Sequence, residues 1–123
     1  MRLRYLVVGI VACVLGGLVE AATLRVIAVE VADPGAYLRG VEQGRALLKA
    51  KGSPATIRVW RGRFAGRDTG SIIVSVEYPN LEALAKDDAK MQSDPELQSW
   101  LRSLDDVRTV LSDSIYNELI PVP

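Results

Sequence analysis

Four arginines and two large aromatics crowd into residues 58–67: Arg58, Arg61, Arg63 and Arg67, with Trp60 and Phe64 among them. A guanidinium beside an aromatic face can hold a carboxylate, phosphate or phenolate, through two parallel hydrogen bonds at best and with cation–π support. On a regular strand alternate side chains point to opposite faces, so Arg58 and Trp60 share one side and Arg61 and Arg63 the other. The competing reading of the cluster is a solvated strand end and loop. A second group is Glu30, Glu77 and Arg58, joined by Tyr116 or Asn117 according to strand register. In a dry setting one of those carboxylates would titrate higher and could act as a general base or accept from a ligand. An Arg–Glu pair that fixes register or an interface is the alternative. Tyr37 and Trp100 are placed to line a cavity under helices, or simply to fill the core. Asp87, Asp88 and Asp94, and likewise Asp105 and Asp106, lack the alternating spacing and glycine of a calcium loop and read as solvated helix surface.

What is missing narrows the chemistry. The 123 residues contain no histidine, so no Ser-His-Asp or Cys-His relay, no His-ligated haem and no ordinary zinc site can be built. Fifteen basic and fifteen acidic residues give zero formal charge, and no nucleic-acid partner is expected. No Gly-x-Gly-x-x-Gly, P-loop or cysteine pair occurs beyond residue 21. No catalytic residue, cofactor or metal is assigned.

The elements that must position these side chains follow from caps and periodicity. Residues 24–31 read as a strand. Asp33-Pro34 is an N-cap followed by proline at the first helical position, and Gly52 suits the residue after the helix end, bracketing about 18 residues with Tyr37, Leu38, Val41, Leu47 and Leu48 on the apolar side. Gly40 and Gly44, one turn apart, predict close packing of that helix against a sheet. Residues 55–64 and 71–78 read as strands joined by a glycine-rich hairpin loop. Asn80 caps a helix that breaks at Ser93-Asp94-Pro95 and resumes with Leu97, Trp100, Leu101 and Leu104. Residues 107–120 form the last strand. The order β-α-β-β-α-β predicts an α+β, ferredoxin-like fold, with two helices on one face of a four-stranded antiparallel sheet. Both faces of the first strand are apolar, Ile27, Val29 and Val31 on one and Leu24, Val26 and Ala28 on the other. The face without helices therefore calls for a partner, most economically the same face of a second copy.

The mean hydropathy of +0.16 is raised by the first twenty residues. Arg2 and Arg4 precede an uncharged apolar run over residues 6–19, and Val19-Glu20-Ala21 ends in small residues. This is the pattern of a secretory signal peptide, with cleavage after Ala21 or Ala22. As a helix the run reaches roughly 21 Å, short of the roughly 30 Å hydrocarbon core, so no membrane association is expected after cleavage. Residues 22–123 then form a single exported domain, periplasmic or secreted. It keeps no cysteine, because the lone Cys13 lies in the leader.

Ser71-Ile-Ile-Val-Ser-Val-Glu-Tyr-Pro-Asn-Leu-Glu-Ala-Leu84, with Gln92-Ser-Asp-Pro-Glu-Leu-Gln-Ser-Trp100 downstream, resembles the dimeric α+β barrel superfamily, which includes antibiotic-biosynthesis monooxygenase-like, EthD-like and NIPSNAP-like proteins. The resemblance implies two sheets packed face to face in a homodimer and a small hydrophobic or aromatic ligand between sheet and helices. Where catalytic members carry a histidine, this sequence has Ala85-Lys-Asp-Asp-Ala-Lys90. The expectation is an exported, homodimeric small-ligand-binding module with Arg58, Trp60, Glu77, Tyr37, Trp100, Tyr116 and Asn117 as candidate ligand residues. Cofactor-independent oxygenation or isomerisation of a small aromatic or lactone is the alternative, and a structural protein-interaction domain the third reading.

Overall fold

A computed structural model of the chain describes residues 21–123. The charged start, the apolar run and Cys13 of the expected leader lie outside the described residues. Four strands, β1 (Thr23–Glu30), β2 (Thr56–Arg61), β3 (Ile72–Tyr78) and β4 (Thr109–Asn117), form one sheet in the order β2-β3-β1-β4. Every neighbouring pair is antiparallel. Three helices follow from the expected caps: α1 (Pro34–Ala50), α2 (Leu81–Ser93) and α3 (Pro95–Asp105). The ferredoxin-like α+β architecture is thus present, with its second helical element divided in two.

Local chemistry accounts for the helix ends. Asp33 accepts from the Ala36 amide at 3.1 Å, and Asn80 from the Ala83 amide at 2.8 Å, each satisfying a donor that the first turn leaves free. Gly52, at φ +81°, adopts the left-handed conformation that ends α1. Asp94 closes α2 and opens α3: its carboxylate accepts from the amides of Glu96 and Leu97, and Pro95 occupies the first position of α3, where no amide donor is needed.

Register decides which residues face the helices. Val29, Ile57, Ile72, Val74, Val76 and Tyr78 point to that side and join Tyr37, Val41, Leu48, Leu84, Leu97 and Leu104 in one core. Leu97 is fully buried, which stabilises the fold by about 1.5–3 kcal/mol relative to leaving it in water. A bulge between Ala28 and Val29 sets Val110 opposite Val29 and Asp113 opposite Ile27, so both β4 residues share the inner face with their partners.

The Gly40/Gly44 pair packs closely, but against α3 and not the sheet. A Cβ on Gly44 would lie 1.8 Å from the Trp100 ring, and one on Gly40 2.7 Å from Leu104. Trp100 also donates from Nε1 to the Gly40 carbonyl at 2.8 Å. The missing side chains let two helices approach with an indole between them.

The other sheet face carries Leu24, Val26, Ala28, Trp60, Ile73 and Tyr116, interleaved with Arg58, Ser75 and Glu77. Trp60 and Tyr116 remain 51% and 57% exposed. At one corner of the sheet Ala22 and Glu118 clasp each other. The Glu118 amide donates to the Ala22 carbonyl at 2.9 Å, and the Ala22 amide to Glu118 Oε1 at 3.1 Å.

Candidate functional site

Between the helix-facing side of the sheet and the three helices lies a cavity of about 200 Å³. Its walls are largely apolar, with Ile27, Val41, Leu48, Ile57, Val74, Val76 and Leu104 beside the aromatic Tyr37, Tyr78 and Trp100. Gly44 makes this space available, because the indole of Trp100 seats against α1 where a larger residue would drive it inward. Met91, Gln92 and Gln98 contribute from around the α2–α3 break, and Gln98 is held by donating to the Met91 carbonyl at 2.6 Å.

The polar end of the cavity is a fork-to-fork ion pair. Arg25 donates from Nε to Asp113 Oδ1 at 2.9 Å and from Nη2 to Asp113 Oδ2 at 2.6 Å. Its Nη1 stands 3.9 Å from Asp88 Oδ1, too far for a hydrogen bond. The Arg25 hydrogen bond holds the Asp113 carboxyl below the usual carboxylate range, and the same bond raises the Arg25 guanidinium. Arg108 lines the same end and is engaged by Asp105 at 3.0 Å.

Near the same end, the Tyr78 phenol is pushed well above its ordinary value, first by burial and then by the charge and hydrogen bonding of Asp87. Asp87 is 5% exposed and also accepts from the Ser53 hydroxyl. It is therefore a buried acceptor and not the solvated surface residue expected from its position in an acidic run. The helical turn that exposes Asp88 carries Asp87 inward against β3 and the 51–55 turn. Asp94 likewise serves as a cap and pairs with Lys51 at 2.8 Å. Asp105 and Asp106 are exposed.

The candidate ligand residues divide between two sides of the sheet. Tyr37 and Trp100 line the cavity. Arg58, Trp60, Glu77 and Tyr116 lie on the opposite, open face, where Trp60 donates to the Ser75 hydroxyl at 2.8 Å. Arg58 and Glu77 sit there as diagonal neighbours, since Arg58 pairs with Ser75 and Glu77 with Thr56. Glu30 does not join them: Glu77 is level with Leu24, six residues along β1, which separates the two carboxylates by roughly 20 Å. Asn117 turns to the helix side and accepts from the buried Thr23 hydroxyl at 3.2 Å. Arg63, Phe64 and Arg67 fall in the loop after β2, with Phe64 wholly exposed, so the arginine cluster spreads along a strand end and loop without forming one patch.

Arg25 and Asp113 are not among the residues that composition and spacing single out. The one available signal was Arg25 itself, a charge among alternating apolar residues on the inward side of β1. Among the described residues no group of three metal-ligating side chains occurs, and no helix is long and apolar enough to cross a membrane.

No family model and no curated protein matches the chain. The solved structures that share its fold include two of one protein. One is SnoaB, a cofactor-independent oxygenase from Streptomyces nogalater, with a TM-score of 0.59 and 13% identity over 85% of this chain and 99% of that one. The other is an asparagine-to-alanine variant of the same oxygenase, at TM-score 0.60 and 12% identity, covering 85% of this chain and 98% of that one.

Proposed function

We propose that the chain is a small-molecule-binding module whose ligand is a largely apolar, ring-bearing compound held between sheet and helices. The observation that carries this reading is the preformed cavity, aromatic and aliphatic along its walls with hydrogen-bonding groups gathered at one end. Trp100 supplies a flat wall and Arg25 a donor at the polar end. Calorimetric titration with one- and two-ring phenols, ketones and quinones tests it. Saturable binding that Trp100→Ala weakens at least tenfold supports the cavity as the site, whereas no heat or line broadening with any member of the panel removes the proposal.

The fold shared with a cofactor-independent oxygenase favours a second reading, oxygenation of a bound phenol or quinol by molecular oxygen. Oxygen consumption coupled to loss of the phenol, abolished in Trp100→Ala, is the result this reading requires. A ligand that binds and is recovered unchanged under air leaves the binding module alone.

The two-sided strands support a homodimer formed through the open sheet face, with Trp60 and Tyr116 buried between the copies. The N-terminal pattern supports export to the periplasm or medium, which fractionation of cells expressing the full chain reads directly.

A further inference from the structure

Around the polar end of the cavity, Arg25 is outnumbered by carboxylates. Its Nε and Nη2 are both committed to Asp113, and Asp88 stands against Nη1. The nearby Arg108 adds a positive charge that Asp105 offsets, its Nε and Nη2 both donating to Asp105 Oδ1. These five side chains together carry one net negative charge. Arg25 nevertheless keeps hydrogen-bonding capacity, since the 3.9 Å between Nη1 and Asp88 leaves the Nη1 hydrogens without a close acceptor.

An arginine with an unused donor beside two carboxylates discriminates by charge. A ligand carbonyl or hydroxyl oxygen can accept from Nη1 and leave the Asp113 pair intact. A ligand carboxylate would approach the same donor with two like charges alongside, and partial exposure of the cluster weakens that repulsion without cancelling it. We propose that Asp113, assisted by Asp88, is a selectivity residue that restricts Arg25 to uncharged oxygen acceptors, so the cavity takes neutral ring-bearing carbonyl or hydroxyl compounds and rejects their carboxylates. The inference rests on the cavity being a ligand site and adds the repulsive half of its specificity.

The probes are 2-naphthol and 2-naphthoate, alike in size but neutral and anionic respectively at pH 7, titrated by calorimetry or ligand-detected NMR. The unmodified protein is expected to bind the naphthol at least about tenfold tighter. Asp113→Asn keeps an acceptor for Arg25 and removes the charge, and it should shift the ratio of the two affinities about tenfold toward the naphthoate. Asp88→Asn should shift it in the same direction by less. Arg25→Met in the Asp113→Asn background should abolish the gain. Naphthoate binding as tightly as naphthol to the unmodified protein, or a ratio unmoved in both carboxylate variants, overturns the charge selection while leaving the binding reading in place. Failure of both probes to bind overturns this inference, and failure of the whole panel of phenols, ketones and quinones overturns the cavity reading with it.

Discussion

Tyr78 shows how a single residue in the cavity wall is tuned by its surroundings. Burial disfavours phenolate, and the charge of the Asp87 carboxylate, with the hydrogen bond it accepts from the phenol, disfavours it further. The folded state therefore raises the phenol above its unfolded value of about 10. A group raised on folding adds stability below that unfolded value and loses it as pH climbs above. The protein should accordingly weaken in urea from about pH 10 upward, with Tyr78→Phe flattening that limb, and ultraviolet titration should show Tyr78 ionising only as the domain unfolds. At neutral pH the same shift makes Tyr78 a donor to Asp87 and not a base. Asp87 in turn gathers Ser53 and Tyr78 onto one buried carboxylate, tying the 51–55 turn to β3.

At the scale of elements, the packing of α1 on α3 turns on Gly44. A methyl group there gains about 0.5–1 kcal/mol of helix propensity. It would also occupy a point 1.8 Å from the Trp100 ring and force the indole into the cavity. Overpacking of that kind costs about 1–3 kcal/mol and wins. Gly44→Ala should therefore destabilise in urea titrations, whereas in a Trp100→Leu background the same change should be neutral or stabilising, giving a large coupling in the double-mutant cycle.

These elements were legible because their boundaries are written in adjacent residues: Asp33-Pro34 and Gly52 around α1, Asn80 before α2, Asp94-Pro95 between α2 and α3. The partner of the glycine pair was not. Sequence spacing says that a surface is close-packed without saying what packs on it, and Trp100 lies sixty residues from Gly40. The site was harder still. Arg25 and Asp113 are 88 residues apart and meet only through the register of β1 on β4, which the bulge at Ala28/Val29 adjusts. Density of arginine and aromatic residues drew attention to residues 58–67 instead, although alternation along β2 already divides them between two faces. Tyr37 and Trp100 were legible as cavity residues because helical periodicity alone aims them inward.

For the molecule as a whole, the open sheet face sets the prediction of assembly. Ala28 is buried there by its neighbours, while Trp60 and Tyr116 stand half in water, and a second copy docked on this face would cover both. Light scattering on residues 22–123 should give a particle of about 22 kDa, twice the chain mass of about 11 kDa. Trp60→Glu should return a folded monomer with its helical signal intact. A wild-type monomer would remove the dimer and leave the cavity untouched, because the helices and not the open face enclose it.

The clasp between Ala22 and Glu118 has a mechanical consequence. Pulling on Ala22 and Glu118 loads β1 and β4 from the same end of the sheet, across the ladder and not along it. Antiparallel hydrogen bonds run perpendicular to their strands, so the force falls on one rung at a time. In an optical trap the domain should part like a zipper, rupturing at low force from the clasp inward. A second pair of handles on Ala22 and Thr109, at opposite ends of the paired strands, would shear several bonds in parallel and meet a higher rupture force.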